Sequence, residues 1–253
     1  MSLLGFTVDC TDLVETAQII AASPQAWEPG ARIYVTPNIQ HVAEMRRNSE
    51  LQRAVREADL VTCDGFPIVS YARFSGVRIP GRITGREVVK QLMLHTQFDR
   101  RHVLVFLIDS EETAGAIRTW AAQRGLSQQV FAIVAPPRFG EDDAACARLA
   151  EHIAALGTTI LFLGVGAPKS EIFASRYRLE LGNCWVLCIG QAVRVALGLV
   201  RQPPRLCVML HAEWAWRLAL EPRRLWKRYV SSAAGFAAAI LDDVRSQVRK
   251  RVL

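Results

Sequence analysis

The 253-residue chain lacks most of the features that would assign it at sight. Its six cysteines, Cys10, Cys63, Cys146, Cys184, Cys188 and Cys207, form no CxxC pair, and its five histidines are scattered. That spacing argues against a zinc site. The cysteines read as reduced thiols, mostly in the core, which suits a cytoplasmic compartment. No stretch approaches the ~18 consecutive apolar residues that a membrane span needs. The nearest, residues 184 to 200, is interrupted by Arg194 and contains Gly190 and Gly198. The N-terminal MSLLGFTVDC has no basic region ahead of a long apolar run, so it does not read as a signal peptide. Disordered composition and internal repeats are missing too. No Ser-His-Asp or Cys-His constellation emerges. Asp142-Asp143 and Asp242-Asp243 read as helix-surface pairs rather than a DxD-type metal motif.

What is present is a large apolar fraction and a lopsided charge. Half the residues are hydrophobic, enough for a sizeable core. The net charge of +7 sits wholly in the last fifth of the chain: residues 201–253 hold eleven Lys/Arg against four Asp/Glu, whereas residues 1–200 hold twenty of each. Trp214, Trp216 and Trp226 lie in the same stretch. Basic residues interleaved with Trp, Leu and Val suit an anionic membrane surface, where each cation contributes ~1 kcal/mol. A nucleic-acid surface or a solvated helix face are the alternatives that composition leaves open.

Short apolar runs alternate with helical patterns. The runs are Leu3–Thr7, Arg32–Thr36, Leu60–Cys63, Val103–Ile108, Val130–Val134, Thr159–Leu163 and Cys184–Ile189. Amphipathic stretches lie between most of them. In Ile39–Ala58, for instance, Val42, Met45, Leu51 and Val55 fall at helical spacing. The alternation predicts an α/β fold: a Rossmann-like, mostly parallel sheet with helices on both faces. Capping boxes are expected at Thr84/Glu87 and Asp109/Glu112, and Pro37 suits a first helical position. The strand signal stops near Pro203-Pro204. The expected division is therefore an α/β core over 1–202 and a basic helical appendage over 203–253. Its helices should run from Arg205 to Leu220 and from Arg223 to Arg251, broken at Glu221-Pro222.

In open sheets of this kind ligands bind beyond the carboxyl ends of the strands. Four such segments carry chemistry. VTPN, residues 35–38, places Thr36 and Asn38 at a strand-to-helix turn that can receive phosphate or sugar hydroxyls, or be a plain cap. CDGFP, residues 63–67, places Asp64 where a carboxylate can take a proton from an attacking hydroxyl, or cap the next helix. IPGRITGRE, residues 79–87, sets Arg82 and Arg86 around a helix start, as receivers for a diphosphate or as surface arginines. GVGAPKSE, residues 164–171, is a glycine turn with Gly164, Gly166, Lys169 and Ser170. It lacks the third glycine of a dinucleotide fingerprint and is not a Walker A loop, which argues against an oxidoreductase. In the tail, residues 213–230 bring Arg217, Arg223, Arg224, Lys227 and Arg228 together with three Trp. Spacings of three and four residues put several of these cations on one side of a helix.

With these segments the sequence resembles the WecG/TagA/CpsF glycosyltransferase family, from about Val35 to about Val230. The resemblance is carried by TPN at 36–38, ADLVTCDG at 58–65, RITG at 82–85, GVGAPKSE at 164–171 and EW…RL…EPRRLWKRY at 213–229. It implies an enzyme that transfers a hexose, of glucose or N-acetylmannosamine type, from a UDP-sugar to a polyprenyl-diphosphate-linked sugar. The implied transfer inverts the anomeric carbon and uses neither metal nor other cofactor. By the resemblance Asp64 matches the general base, and Thr36 and Asn38 match polar residues near the donor, Thr36 being expected to act with Asp64 in catalysis and Asn38 to bind substrate. Arg82 matches an arginine of the nucleotide-sugar site. Arg217, Arg223, Arg224 and Arg228 match tail arginines that meet the acceptor diphosphate. Substrate contacts are also expected from Arg86, Gly164, Gly166, Lys169, Ser170, Gln191 and Arg194. Two positions depart from the family: Ser170 stands where Gln is frequent, and Arg194 where Asp is frequent, reversing a charge. The implied partners are the two substrates and an anionic membrane, with no nucleic acid, and self-association is an option. The implied location is the cytoplasmic face of the plasma membrane. A non-catalytic nucleotide-sugar binding protein of the same pathway is the alternative.

Overall fold

The computed structural model describes residues 2–22, 27, 29–77, 79–201, 203–204, 207, 209 and 213–252; the side chains of Ser2, Arg217, Arg224 and residues 247–252 lie outside the description. Six strands form one sheet: β3 (Arg32–Val35), β4 (Leu60–Val61), β5 (Leu104–Ile108), β6 (Val130–Val134), β7 (Ile160–Leu163) and β8 (Trp185–Cys188). Every pairing in it is parallel, and the order is β4-β3-β8-β7-β5-β6. The first expected strand, Leu3–Thr7, is instead a small antiparallel hairpin of β1 (Ser2–Leu3) and β2 (Phe6–Thr7). Leu4 and Gly5 turn the chain with φ of 51° and 87°, the left-handed pair that a two-residue hairpin loop requires.

Side chains alternate between the sheet's two faces, as a period of two dictates. Ile33, Val35, Val105, Leu107, Leu161, Leu163 and Val186 pack on one face under α2 (Ile39–Met45), α3 (Ser49–Arg56), α4 (Phe66–Phe74), α7 (Asp143–Ala155) and α8 (Lys169–Arg176). Tyr34, Phe106, Phe162 and Leu187 pack on the other, under α1 (Leu13–Ala21), α5 (Gly85–Lys90), α6 (Glu111–Gln123) and α9 (Ala192–Ala196). The Phe106 and Phe162 rings stack 4.4 Å apart at the centre of that layer. The amphipathic stretch 39–58 is two helices rather than one. Asn48 accepts from Leu51 N at 3.0 Å and so starts α3 afresh, because a capping side chain competes with helix continuation.

Two other helix starts differ from expectation. Pro37 is not the first helical position: Asn38 caps α2, so the helix begins at Ile39 and Pro37 lies just ahead of the cap. Ser110, not Asp109, caps α6, accepting from Thr113 N. Thr84 and Glu87 do form the expected reciprocal box at α5.

The chain leaves β3 toward α2 on one face, whereas it leaves the neighbouring β8 toward α9 on the opposite face. Adjacent strands that part in this way open a crevice at their carboxyl ends. The tail helices are α10 (Glu213–Leu220) and α11 (Pro222–Val252), with proline in the first turn of α11 where its missing N–H costs nothing. Of the helix expected from Arg205 to Leu220, the part before Glu213 falls mostly outside the described residues. Helix α11 packs on α2. Leu225, Ser232 and Ala239 are buried at intervals of seven, a spacing that keeps one stripe facing a partner helix. Gly235 lies against Ala43: a methyl added there would sit 2.5 Å from Ala43 Cβ. An Arg46–Asp242 ion pair and a Tyr71 Oη to Asp243 Oδ2 hydrogen bond of 2.8 Å tie the far half of α11 down. Among the described residues no helix is long and apolar enough to cross a membrane.

Candidate active site

Asp64 stands just past β4, at the edge of the crevice. Its backbone N–H donates to Pro37 O at 3.0 Å, and Cys63 O accepts from Ile83 N at 3.0 Å. Those bonds lace the ends of β3 and β4 to the segment that carries Arg82. Gly65 caps α4 in the left-handed region, with φ 112°, and no side-chain capping bond is made. Asp64 is therefore not spent on helix capping, the alternative that the sequence left open. Its carboxyl is raised above the ordinary value. Burial is the largest cause; Arg86, Arg82 and His41 pull it down by their charge, and Glu213 adds to the rise. Desolvation outweighs these opposing charges, so the carboxylate is a stronger base than one in water. Burial and the same carboxylate push the neighbouring Cys63 thiol up to about 12, which keeps it neutral.

Thr36 is buried beside the start of α5: a methyl at Gly85 would lie 3.3 Å from Thr36 Oγ1 and 3.4 Å from Ile189 Cγ2. The glycine thus lets α5 close onto the ends of β3 and β8. Asn38 Oδ1 accepts from Gln40 N and His41 N at 2.9 and 3.2 Å. Asn38 N in turn donates to His41 Nδ1 at 3.3 Å, while His41 Nε2 faces Glu171 Oε1 at 3.2 Å. The imidazole with its proton on Nε2 satisfies both neighbours. Glu171 is buried in α8, so this contact joins the GVGAPKSE segment to the TPN turn across β8.

Arg82 and Arg86 converge on one carboxylate from the tail. Glu213, the first residue of α10, accepts from Arg82 Nη2 at 3.1 Å through Oε1 and from Arg86 Nη2 at 2.5 Å through Oε2. Burial alone would raise the Glu213 carboxyl, but the hydrogen bonds and charges of Arg86 and Arg82 hold it below the ordinary value. Asp64, Arg82, Arg86, His41 and Glu213 form one electrostatic cluster. It joins a desolvated carboxyl group to a pair of guanidiniums, groups whose chemistry can accept a proton and receive an anion.

The other expected residues divide. At the end of β7, Gly164 packs tightly: a methyl there would meet Ile108 Cγ2 at 3.0 Å and Gly190 O at 3.4 Å. Gly166 has φ 86° and Gly190 has φ 49°, so the two turns that flank the crevice need glycine. Ser170 is buried and donates back to Gly166 O at 3.2 Å. Gln191 is exposed at the start of α9. Lys169 lies along Gly140 with Nζ 3.6 Å from Glu141 Oε1. Arg194 reaches the start of α6, donating to Ser110 Oγ at 3.1 Å, Thr113 Oγ1 at 2.6 Å and Glu112 Oε2 at 2.8 Å. Arg223 and Arg228 are exposed on α11, with the Arg228 guanidinium 5.9 Å from the Tyr229 ring. The side chains of Arg217 and Arg224 lie outside the description.

Sequence reasoning missed His41, Glu171 and Glu213. His41 carried a signal, since it occupies the third helical position after the Asn38 cap. Glu213 carried another, as the acid that opens the basic EWAWRLALEPRRLWKRYV stretch.

The model of the Glycosyl transferase WecG/TagA/CpsF family matches residues 1–250. Two relatives carry the name N-acetylglucosaminyldiphosphoundecaprenol N-acetyl-beta-D-mannosaminyltransferase. The one from Bacillus spizizenii is 24% identical over 215 residues, 85% of this chain and 80% of the relative. The one from Bacillus subtilis is 23% identical over 190 residues, 75% of this chain and 71% of the relative. A match over nearly the whole length, on a parallel α/β sheet with a carboxylate and two arginines at its crevice, places this chain in the WecG/TagA/CpsF family of glycosyltransferases.

Proposed function

We propose that the protein transfers a hexose from a UDP-sugar to a polyprenyl-diphosphate-linked sugar, with inversion and without a metal, in the synthesis of an envelope polysaccharide. The observation that carries this reading is Asp64: a recessed carboxylate, free of capping duty, raised by burial and flanked by Arg82 and Arg86. Asp64 takes the proton from the acceptor hydroxyl as that oxygen attacks the anomeric carbon. The bond to the UDP oxygen breaks in the same displacement. Arg82 and Arg86 receive the charge developing on the leaving diphosphate, work that preorganised cations do well in a site shielded from water. Thr36 and Asn38 line the donor side, with the Gly164–Gly166 turn and Gln191 beyond. The relatives' names point to a diphosphoundecaprenol-linked N-acetylglucosamine acceptor and an N-acetylmannosamine-type donor; glucose is the other donor to try.

The tail, residues 203–253, acts in this reading as an appendage that meets the membrane and the acceptor. Exposed Trp214, Trp226 and Val230 lie among Arg223, Lys227 and Arg228, the mixture that settles at an anionic interface. The test is UDP release from a panel of UDP-sugars in EDTA, with and without a polyprenyl-diphosphate-sugar acceptor. Acceptor-dependent release from one donor is expected. No release from any donor, with folded protein and competent acceptor, would favour a nucleotide-sugar binding protein.

A further inference from the structure

Arg82 and Arg86 carry like charges, yet their terminal nitrogens come within 3.1 and 2.5 Å of the two oxygens of a single carboxylate. Two guanidiniums held this close repel one another, and each is about a quarter exposed, so water offers both an easy way apart. The Glu213 carboxylate offsets the repulsion and takes one Nη2 from each. A guanidinium has five N–H donors, and among the described residues only Nη2 of each arginine is taken, so Nη1 and Nε can meet a second anion. Glu213 itself is mostly buried, with 13% of its side chain exposed, and it belongs to the tail rather than to the sheet.

We propose that Glu213 is a positioning residue: docked with the tail, it gathers Arg82 and Arg86 into a paired receiver for the diphosphate of the nucleotide donor. This rests on the reading of those arginines as the diphosphate site. Because Glu213 opens α10, tail docking and diphosphate binding are coupled, and each must strengthen the other. The opposite sign is the obvious rival: a carboxylate already seated on both arginines would compete with the diphosphate, and its removal would tighten binding.

The experiment is a calorimetric titration of the full chain with UDP, inorganic diphosphate and uridine, for wild type, Glu213→Gln and Glu213→Asp. Glutamine keeps size and packing but not charge. Glu213→Gln is expected to weaken UDP and diphosphate about tenfold, within the range typical of coupled sites, and to leave uridine within about twofold. Glu213→Asp, which restores the charge on a shorter arm, should recover part of the loss. Equal weakening of UDP and uridine would mean a general structural role, and unchanged or tighter UDP would mean a bystander or a competitor; each overturns the proposal. Wild type that binds diphosphate in a Glu213-dependent way but not UDP would defeat the nucleotide-sugar reading and leave the paired receiver standing. Wild type that binds neither defeats both.

Discussion

Gly235→Ala adds one methyl where α11 crosses α2. An ideal Cβ at 235 lies 2.5 Å from Ala43 Cβ and 3.0 Å from Ala43 Cα. Both atoms are fixed to the α2 backbone, so no side chain can swing aside, and ordinary carbon contact at about 3.5–4.0 Å requires the helices to separate by about 1 Å. Overpacking of this kind costs ~1–3 kcal/mol. Alanine also favours helix over glycine by ~1 kcal/mol, but that gain applies to a helical tail whether docked or free. The docking equilibrium therefore feels the steric cost alone, a factor of about 5–150 at ~1.4 kcal/mol per tenfold. Limited proteolysis reads it: cleavage within residues 203–252 should quicken by roughly that factor in Gly235→Ala. Adding Ala43→Gly removes the closer of the two clashing atoms and should restore much of the protection. Unchanged proteolysis in Gly235→Ala, with an unchanged melting temperature, would refute the close α11–α2 crossing and with it the route by which Glu213 reaches the site.

Three further outcomes follow from Asp64 and its surroundings. The folded state raises the Asp64 carboxyl, so it holds this proton more tightly than the unfolded chain, and Asp64 costs stability as pH rises through the raised value. Asp64→Asn should accordingly melt higher than wild type at neutral pH, with the margin vanishing below about pH 3.9. The acid limb of kcat/KM should lie above the ordinary carboxylate value of about 3.9, and Arg86→Gln should move it higher still, because Arg86 is the largest of the causes that lower Asp64. Gly65→Ala forces a non-glycine residue to φ 112°; it should lower stability by about 1–3 kcal/mol, measured by denaturant titration, and reduce turnover by shifting Asp64.

The layered sheet was legible because its strands are short apolar runs between amphipathic helices, a pattern that survives without any tertiary information. Six of seven candidate strands joined the sheet, within a residue or two at each end. The hairpin at Leu4-Gly5 was not legible, since an apolar residue in a left-handed turn looks like one more strand position. The start of α6 was misread for a local reason: Asp109, Ser110 and Glu111 all suit a helix start, and only the geometry selects Ser110. The cluster around Asp64 was half legible. Asp64, Arg82 and Arg86 stand in motifs at strand and helix ends, where local sequence announces them. Glu213 and Glu171 reach the cluster across 127 and 130 residues of chain; the basic stretch that Glu213 opens singles it out, but no local pattern encodes which partner either acid meets at that distance. Arg194 is a similar case. The family resemblance marks it as a substrate contact, and no local pattern announced the three side chains it meets at the start of α6.

The central claim is that Asp64 is the base. Its most direct test is turnover by Asp64→Asn, assayed as acceptor-dependent UDP release with the preferred donor, beside a UDP titration of the same variant. A positioned base contributes ~10²–10⁴ in rate. The account predicts a loss of that size in kcat with UDP affinity kept within a few fold. Near-normal turnover by folded Asp64→Asn would contradict it.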